Sequence, residues 1–161
     1  MIIVSACLLG LNTKYDGSSN AQVLIQKYSS SGKYIPVCPE QLGGLPTPRS
    51  PVEIINGTGQ DVLKGWCPVQ GEQGEVVTPQ FILGANEVLK IVEMVTVTAA
   101  ILKERSPSCG VNNIYDGSFS HRIKPGQGVT AALLSEHNIP LYSEEGLTEE
   151  KLLELIRDDE R

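Results

Sequence analysis

The sequence predicts a single three-layer, Rossmann-like α/β domain with a mostly parallel sheet of about four strands and a long Gly- and Pro-rich insertion. Short aliphatic runs alternate with helical patterns along the chain, which is typical of parallel strands joined by helical crossovers. The opening run MIIVSA is apolar at almost every position, as in a strand that is buried on both faces. At 161 residues the chain is long enough to bury a core of its own, so we expect one domain over residues 1–161.

Apolar runs predict the strands of this sheet, at residues 1–6, 33–37, 97–102 and 140–142. The second run is the weakest, because Pro36 cannot donate a hydrogen bond to a neighbouring strand and belongs near a strand end. Right-handed crossovers between the strands would build a three-layer sheet, for which 2-1-3-4 is one candidate order.

Helical spacing and capping residues predict helices at residues 20–31, 78–95, 129–137 and after Thr148. The first has Ser19 or Asn20 as its cap, and the second starts at Thr78, with a proline in the next position. The insertion covers residues 41–77 and contains hairpin candidates at 52–55 and 61–63. A segment of this length indicates a functional loop or minor structure of its own.

Composition excludes several classes of function. The formal net charge of −6 argues against a broad phosphate-neutralising surface and therefore against extended DNA binding, while it leaves room for a small ligand. The apolar runs are far shorter than the roughly 18 residues of a membrane span, and the N-terminus lacks a basic signal region. We therefore expect a soluble, cytoplasmic protein without a membrane partner.

Three of the four cysteines follow predicted strands. Cys7 comes just after the first strand, Cys38 just after the second, and Cys109 some residues after the third. Parallel strands end at one edge of the sheet, where ligand sites of α/β proteins lie, so the three thiols can converge. Each could instead be a buried core residue, but turn-forming residues follow each of them. Three thiolates without a nearby histidine suit an iron–sulfur cluster, or zinc with a fourth ligand from elsewhere.

The remaining candidates surround these cysteines. Cys67, in the insertion, is either a fourth ligand or an ordinary loop thiol. Glu40, two residues beyond Cys38, is close enough to act as a general acid or base, and is otherwise an exposed loop carboxylate. The hydroxyls of Ser106 and Ser108 either orient a substrate or satisfy a local turn. Lys103 either adds positive charge beside the site or is solvated.

The tetrapeptide YDGS occurs twice, shortly after Cys7 and shortly after Cys109. Because both copies would lie at the same edge of the sheet, Asp16 and Asp116 are second-rank substrate-binding candidates, although an Asp-Gly turn explains either copy. The loop KPGQGVT could present backbone N–H groups to an anion at a helix start. His121 and His137 are expected in a loop and on a helix surface.

Taken together, several stretches resemble the thiouracil desulfidase family, also catalogued as domain of unknown function 523. They are CLLGLNTKYDG, VCPEQLGGLPTPRSPVEI, AAILKERSPSCG with IYDGSF, and GQGVTAALL, and they span roughly residues 3–145. The resemblance implies a [4Fe-4S] cluster held by Cys7, Cys38 and Cys109 with one iron open to substrate. Many relatives carry a further cysteine where this chain has Thr13-Lys14, which leaves three matching cysteines.

The resemblance also implies the reaction, which is the conversion of a 2-thiouracil-type base to uracil with release of hydrosulfide and no net redox change. Glu40 and Ser106 match positions that the resemblance associates with proton transfer and substrate orientation. The substrate could be a free base, a nucleoside or a thiolated tRNA, and the acidic charge favours a small thiolated pyrimidine. Two other hypotheses are a non-catalytic iron–sulfur or metal-binding module and a cluster-free enzyme that uses one activated cysteine.

Overall fold

The computed structural model describes residues 1–160. In chain order the elements are β1 (Ile2–Ser5), α1 (Val23–Lys27), β2 (Tyr34–Val37), α2 (Pro39–Leu42), β3 (Val52–Ile54), α3 (Gly59–Leu63), β4 (Val69–Gly71), α4 (Thr78–Met94), β5 (Ala99–Leu102), β6 (Asn113–Tyr115), β7 (Ile123–Pro125), α5 (Val129–Glu136), β8 (Leu141–Ser143) and α6 (Glu149–Asp158). Single 3-10 turns follow β1 and α1. None of the helices in this part of the chain is long and apolar enough to cross a membrane.

The main sheet has the order β2-β1-β5-β8, and each neighbouring pair is parallel. The candidate order 2-1-3-4 is therefore confirmed. Every residue of β1 is buried, because this strand has neighbours on both sides and helices on both faces. Ile2 and Val4 pack with α1 and α6, whereas Ile3 packs with α4 and α5, which gives the three-layer arrangement expected from the sequence.

The helix predicted at residues 20–31 is shorter than expected. Only α1 is helical, and a separate 3-10 turn covers Ser29–Ser31. Serine side chains compete for nearby backbone groups, and Gly32 then adopts a left-handed conformation with φ of 74°, so the helix does not continue. At the other end of the chain Thr148 caps α6 as predicted, since its side chain accepts a hydrogen bond from the Lys151 N–H.

The insertion carries structure of its own, but its predicted hairpin is wrong in one strand. The strand β3 pairs with β4, not with residues 61–63, which belong to α3. The reason is a capping box, in which the Asp61 carboxylate accepts a hydrogen bond from the Thr58 N–H at 2.8 Å and starts a helix. Apolar residues of β3, α3 and β4 form a second core with α4 and α5.

Close approach between α2 and α4 fixes the segment that follows β2. A Cβ atom on Gly84 of α4 would overlap the carbonyl oxygen of Pro39, and one on Gly43 would overlap the carbonyl oxygen of Gln80. Only glycine allows the two helix backbones to lie this near each other. The helix that carries Glu40 is therefore held directly against the longest helix of the molecule.

Candidate functional site

A cavity of about 710 Å³ opens at the carboxyl edge of the main sheet. Cys7, Cys38 and Cys109 all line it. The register of the sheet explains the first two, because Ser5 at the end of β1 pairs with Val37 at the end of β2, so both cysteines leave the sheet side by side. Cys7 lies in the 3-10 turn after β1, and Cys38 is the residue that precedes α2.

The loop that carries Cys109 is held by the start of α5. The N–H of Val129 donates a hydrogen bond to the Pro107 carbonyl at 2.9 Å, and those of Thr130 and Ala131 donate to the Ser108 carbonyl at 2.9 and 3.1 Å. These are N–H groups that a helix cannot satisfy internally. The expected anion site at KPGQGVT is therefore corrected, since the loop itself occupies these donors.

Inside this loop, Ser106 forms the local turn that the sequence left as an alternative. Its hydroxyl oxygen accepts hydrogen bonds from the N–H groups of Ser108 at 3.2 Å and Cys109 at 3.1 Å. Ser106 also lines the cavity, whereas Ser108 is buried and does not. The Ser108 hydroxyl lies 3.4 Å from Cys109 Sγ and donates a short hydrogen bond to the Glu40 carboxylate.

Glu40 stands at the centre of this arrangement. Its Oε2 atom lies 3.4 Å from Cys38 Sγ and 3.9 Å from Arg49 Nη2, and its side chain is only 12% exposed. Arg49 is itself positioned by the Thr13 carbonyl, to which Nη2 donates a hydrogen bond at 2.9 Å. The structure thus places a largely enclosed carboxylate beside Cys38, and the Ser108 hydroxyl links it to Cys109.

The acidic side chain of Glu104 anchors the loop that carries Cys109 by binding the residues that follow this cysteine. It is 2% exposed, and its Oε1 atom accepts hydrogen bonds from the N–H groups of Val111, Asn112 and Asn113 at 2.9 to 3.0 Å. Burial alone would raise the pKa of Glu104, but the hydrogen bonds from Asn113 and Asn112 outweigh it and lower the pKa to about 2. Sequence reasoning missed Glu104 because its partners are turn amides, which carry no local pattern.

The other predicted polar residues fall into two groups. Lys103 lines the cavity, but its Nζ atom is paired with Glu144 at 3.0 Å, so its charge is neutralised. Asp16 and Asp116 do not reach the cavity. Each accepts hydrogen bonds from the N–H and hydroxyl of the serine two residues later, at 2.9 and 2.5 Å, and thereby closes a turn.

Both copies of the YDGS repeat nevertheless lie beside the cavity. The tyrosines that precede these aspartates, Tyr15 and Tyr115, both line the cavity, as does His121. Nothing in the sequence of the repeat distinguishes the tyrosine from the aspartate as the residue that lines the cavity. His137, in contrast, follows α5 at the surface, where its imidazole contacts the Leu133 carbonyl.

Cys67 lies outside the cavity. It is buried in the second core against residues such as Ile54 and Val69, with its Sγ atom 3.9 Å from the Thr58 carbonyl. The structure therefore does not bring it to the three other cysteines, and the loop thiol expected from the sequence is a core side chain.

The environment of the three cavity thiols keeps them protonated in the absence of a metal. Burial is the main cause for each of them, and the nearby Glu40 carboxylate adds to it. The pKa of Cys38 is raised to about 11, and those of Cys7 and Cys109 are also raised. An activated cysteine nucleophile needs a lowered pKa, so this environment argues against the cluster-free hypothesis.

This fold and the set of cavity cysteines define a known class of protein. A sequence profile of the 2-thiouracil desulfurase family matches residues 2–146, and the chain belongs to that family. It is 45% identical over 149 residues to the uncharacterized protein YbbK of Bacillus subtilis strain 168, covering 92% of this chain and 99% of YbbK. Among solved structures it is similar to the [4Fe-4S]-dependent thiouracil desulfidase TudS, with a TM-score of 0.82 and 40% identity over 96% of both chains.

Proposed function

We propose that this protein removes sulfur from 2-thiouracil-type bases, as free base or nucleoside, and yields uracil and hydrosulfide. The observation that carries this proposal is the convergence of Cys7, Cys38 and Cys109 on one cavity at the carboxyl edge of the sheet. The family and the similarity to a [4Fe-4S]-dependent desulfidase support the same chemistry. We propose these three cysteines as the ligands of a [4Fe-4S] cluster.

The donor set fits such a cluster. Thiolates are the ligands that iron–sulfur clusters prefer, and each of the three would bind a different iron. When bound, the cluster supplies an iron without a protein ligand that acts as a Lewis acid toward the thiocarbonyl sulfur.

We propose Glu40 as the group that moves protons in this reaction. Hydrolysis of the thiocarbonyl needs a base for the attacking water, and the Glu40 Oε2 atom lies beside Cys38 at the cavity wall. Its second oxygen, Oε1, is held by the Ser108 hydroxyl, so the carboxylate keeps one orientation. Ser106, which lines the same cavity, is the candidate for orienting the substrate through its hydroxyl.

The charges around the cavity favour a small substrate over tRNA. Three of the cations that line it are already paired with carboxylates, namely Arg49 with Glu40, Lys103 with Glu144, and Arg105 with Glu145. A polynucleotide needs cations that can replace its counterions, and a protein with a net charge of −6 offers few. A single thiolated base, with or without its ribose, has no such need.

Anaerobic purification with iron and sulfide analysis, followed by assays with three substrates, tests the proposal. We expect a brown protein that converts 2-thiouracil and 2-thiouridine to the oxygen-containing products, with thiolated tRNA as a poor substrate. A colourless protein that is active without iron would contradict the desulfidase assignment. A brown protein without activity on any of the three, and with Glu40→Gln indistinguishable from wild type, would favour a non-catalytic cluster-binding module.

A further inference from the structure

The geometry points to a base-stacking surface, formed by Tyr15 and Tyr115, against which the flat face of the pyrimidine ring packs. This inference rests on the proposed function for the identity of the base. It gives a role to the YDGS repeat, which takes no part in the proposed proton transfer or cluster binding. Both tyrosines line the cavity that contains the three cysteines. Tyr15 is 43% exposed, so part of its ring is available to a ligand.

The two tyrosines are presented by turns of the same construction. In each copy the aspartate accepts hydrogen bonds from the serine two residues later, with 2.9 Å to the N–H and 2.5 Å to the hydroxyl. The intervening glycine has a left-handed φ, 83° for Gly17 and 92° for Gly117. A Cβ atom at Gly117 would lie 2.7 Å from the Ile54 carbonyl oxygen, so this turn also packs tightly on β3.

One short segment holds both turns. The N–H of Arg49 donates a hydrogen bond to the Tyr15 carbonyl at 2.7 Å. Four residues later, the buried Glu53 carboxylate accepts hydrogen bonds from the N–H groups of Gly117 at 2.9 Å and Phe119 at 3.2 Å. The segment from Arg49 to Glu53 itself lines the cavity, so both turns are anchored to the same short stretch of cavity wall.

The second turn is held in an unfavourable backbone conformation. Phe119 and His121 have φ values of 55° and 60°, in a region that residues other than glycine rarely adopt. In the same loop the His121 imidazole meets the Tyr115 ring edge to face, with centroids 6.5 Å apart and planes at 81°. Such local strain persists where the surrounding structure enforces it, and it is typical of ligand sites. Both side chains of this contact line the cavity.

A flat conjugated ring is the ligand that such a surface recognises. Stacking of a base on an aromatic side chain depends on the face of the ring and not on its hydrogen-bonding edge. A pyrimidine therefore gains from the tyrosines whether or not it carries sulfur. A ring with the same edge groups but saturated at C5 and C6 would lose much of this contribution, because it is puckered and its conjugation is interrupted.

The test compares two sulfur-free probes, uracil and 5,6-dihydrouracil, bound to the cluster-loaded protein in anaerobic equilibrium dialysis. Neither probe can be desulfurated, so their binding is read independently of the reaction. We expect uracil to bind about tenfold more tightly than dihydrouracil in the wild type. Tyr15→Leu and Tyr115→Leu should each reduce this ratio severalfold, whereas Tyr15→Phe and Tyr115→Phe should preserve it. Near-wild-type iron content in each variant establishes that the fold is intact.

The outcomes separate this inference from the proposed function. A wild type that binds both probes equally, or binds neither, would overturn the stacking surface even if 2-thiouracil is desulfurated. Leucine variants with an unchanged ratio would do the same. If uracil is preferred and the leucine variants lose the preference while no thiolated base reacts, the stacking surface stands and the proposed reaction fails.

Discussion

The Ser108 hydroxyl donates a hydrogen bond to the Glu40 carboxylate across 68 residues of sequence. This contact joins the loop after β5 to the helix after β2, which are the two elements that present Cys109 and Cys38. A carboxylate held in this way is oriented before any substrate arrives. The proposed proton transfer therefore depends on the loop as well as on Glu40 itself.

Replacing the carboxylate tests this role directly. Glu40→Gln keeps the shape and the hydrogen bond from Ser108 but cannot accept a proton, so we expect desulfuration to fall about a hundredfold or more. Iron content should remain at the wild-type level, because Glu40 is not a proposed ligand. The matched control is Glu72→Gln, an exposed glutamate outside the cavity, which should behave as wild type. Equal activity in both variants would remove Glu40 from the mechanism.

The two buried cysteines should respond in opposite ways. Cys109→Ser removes a soft ligand from the cavity, and we expect iron content and activity to fall to a small fraction of wild type. Cys67 lies in the second core, so for Cys67→Ala we expect full iron content and a loss of about 1 kcal/mol in the free energy of unfolding. Iron and sulfide analysis with urea denaturation measures both effects. Loss of iron from Cys67→Ala would instead make Cys67 a ligand.

A substitution at the contact between α2 and α4 should alter the site without touching the cavity. In Gly84→Ala the new methyl group would displace the Pro39 carbonyl and, with it, the neighbouring Glu40. We expect a destabilisation of about 1–3 kcal/mol, as for other overpacked contacts, together with lower activity. Asn86→Ala, on the exposed face of the same helix, is the control and should retain wild-type stability and activity. Thermal unfolding and the desulfuration assay measure the two effects.

Glu104 predicts how stability changes with pH. Its carboxyl has a folded-state pKa of about 2 against an ordinary value of 4.5, so its contribution is complete above pH 4.5. The free energy of unfolding should therefore fall as the pH drops from about 4.5 towards about 2. Glu104→Gln should flatten this part of the curve. It should also lower the free energy of unfolding by about 2–3 kcal/mol at neutral pH, because the N–H groups that donate to the carboxylate lose their charged acceptor.

Urea denaturation at a series of pH values measures this dependence. Glu93→Gln, an exposed glutamate of α4, serves as the control and should keep the wild-type curve. If wild type and Glu104→Gln have parallel curves between pH 4.5 and 2, Glu104 is not responsible for the loss of stability.

Features set by short-range patterns were predictable from the sequence. The burial of β1 follows from its unbroken apolar run, and the parallel sheet follows from the alternation of apolar runs with helical patterns. Because parallel strands end at one edge, the placement of Cys7, Cys38 and Cys109 at one cavity could also be anticipated.

Contacts between distant segments were not predictable. The start of α5 looked open to an anion, because nothing in KPGQGVT shows that the carbonyls of Pro107 and Ser108 occupy its N–H groups. The aspartates of the YDGS repeat are site candidates by their chemistry, although in the structure they close turns outside the cavity. At residues 61–63 a local signal competes with the apolar pattern, because the capping box of Thr58 and Asp61 starts a helix where that pattern predicts a strand.

The dependence of the Cys109 loop on α5 also sets an order of events during synthesis. Cys7 and Cys38 follow adjacent strands and can come together once about 40 residues have left the ribosome. Cys109 is positioned only after residues 129–131 have emerged and begun a helix. A nascent chain therefore offers two thiols long before it offers three, and cofactor insertion must wait until most of the polypeptide has been made.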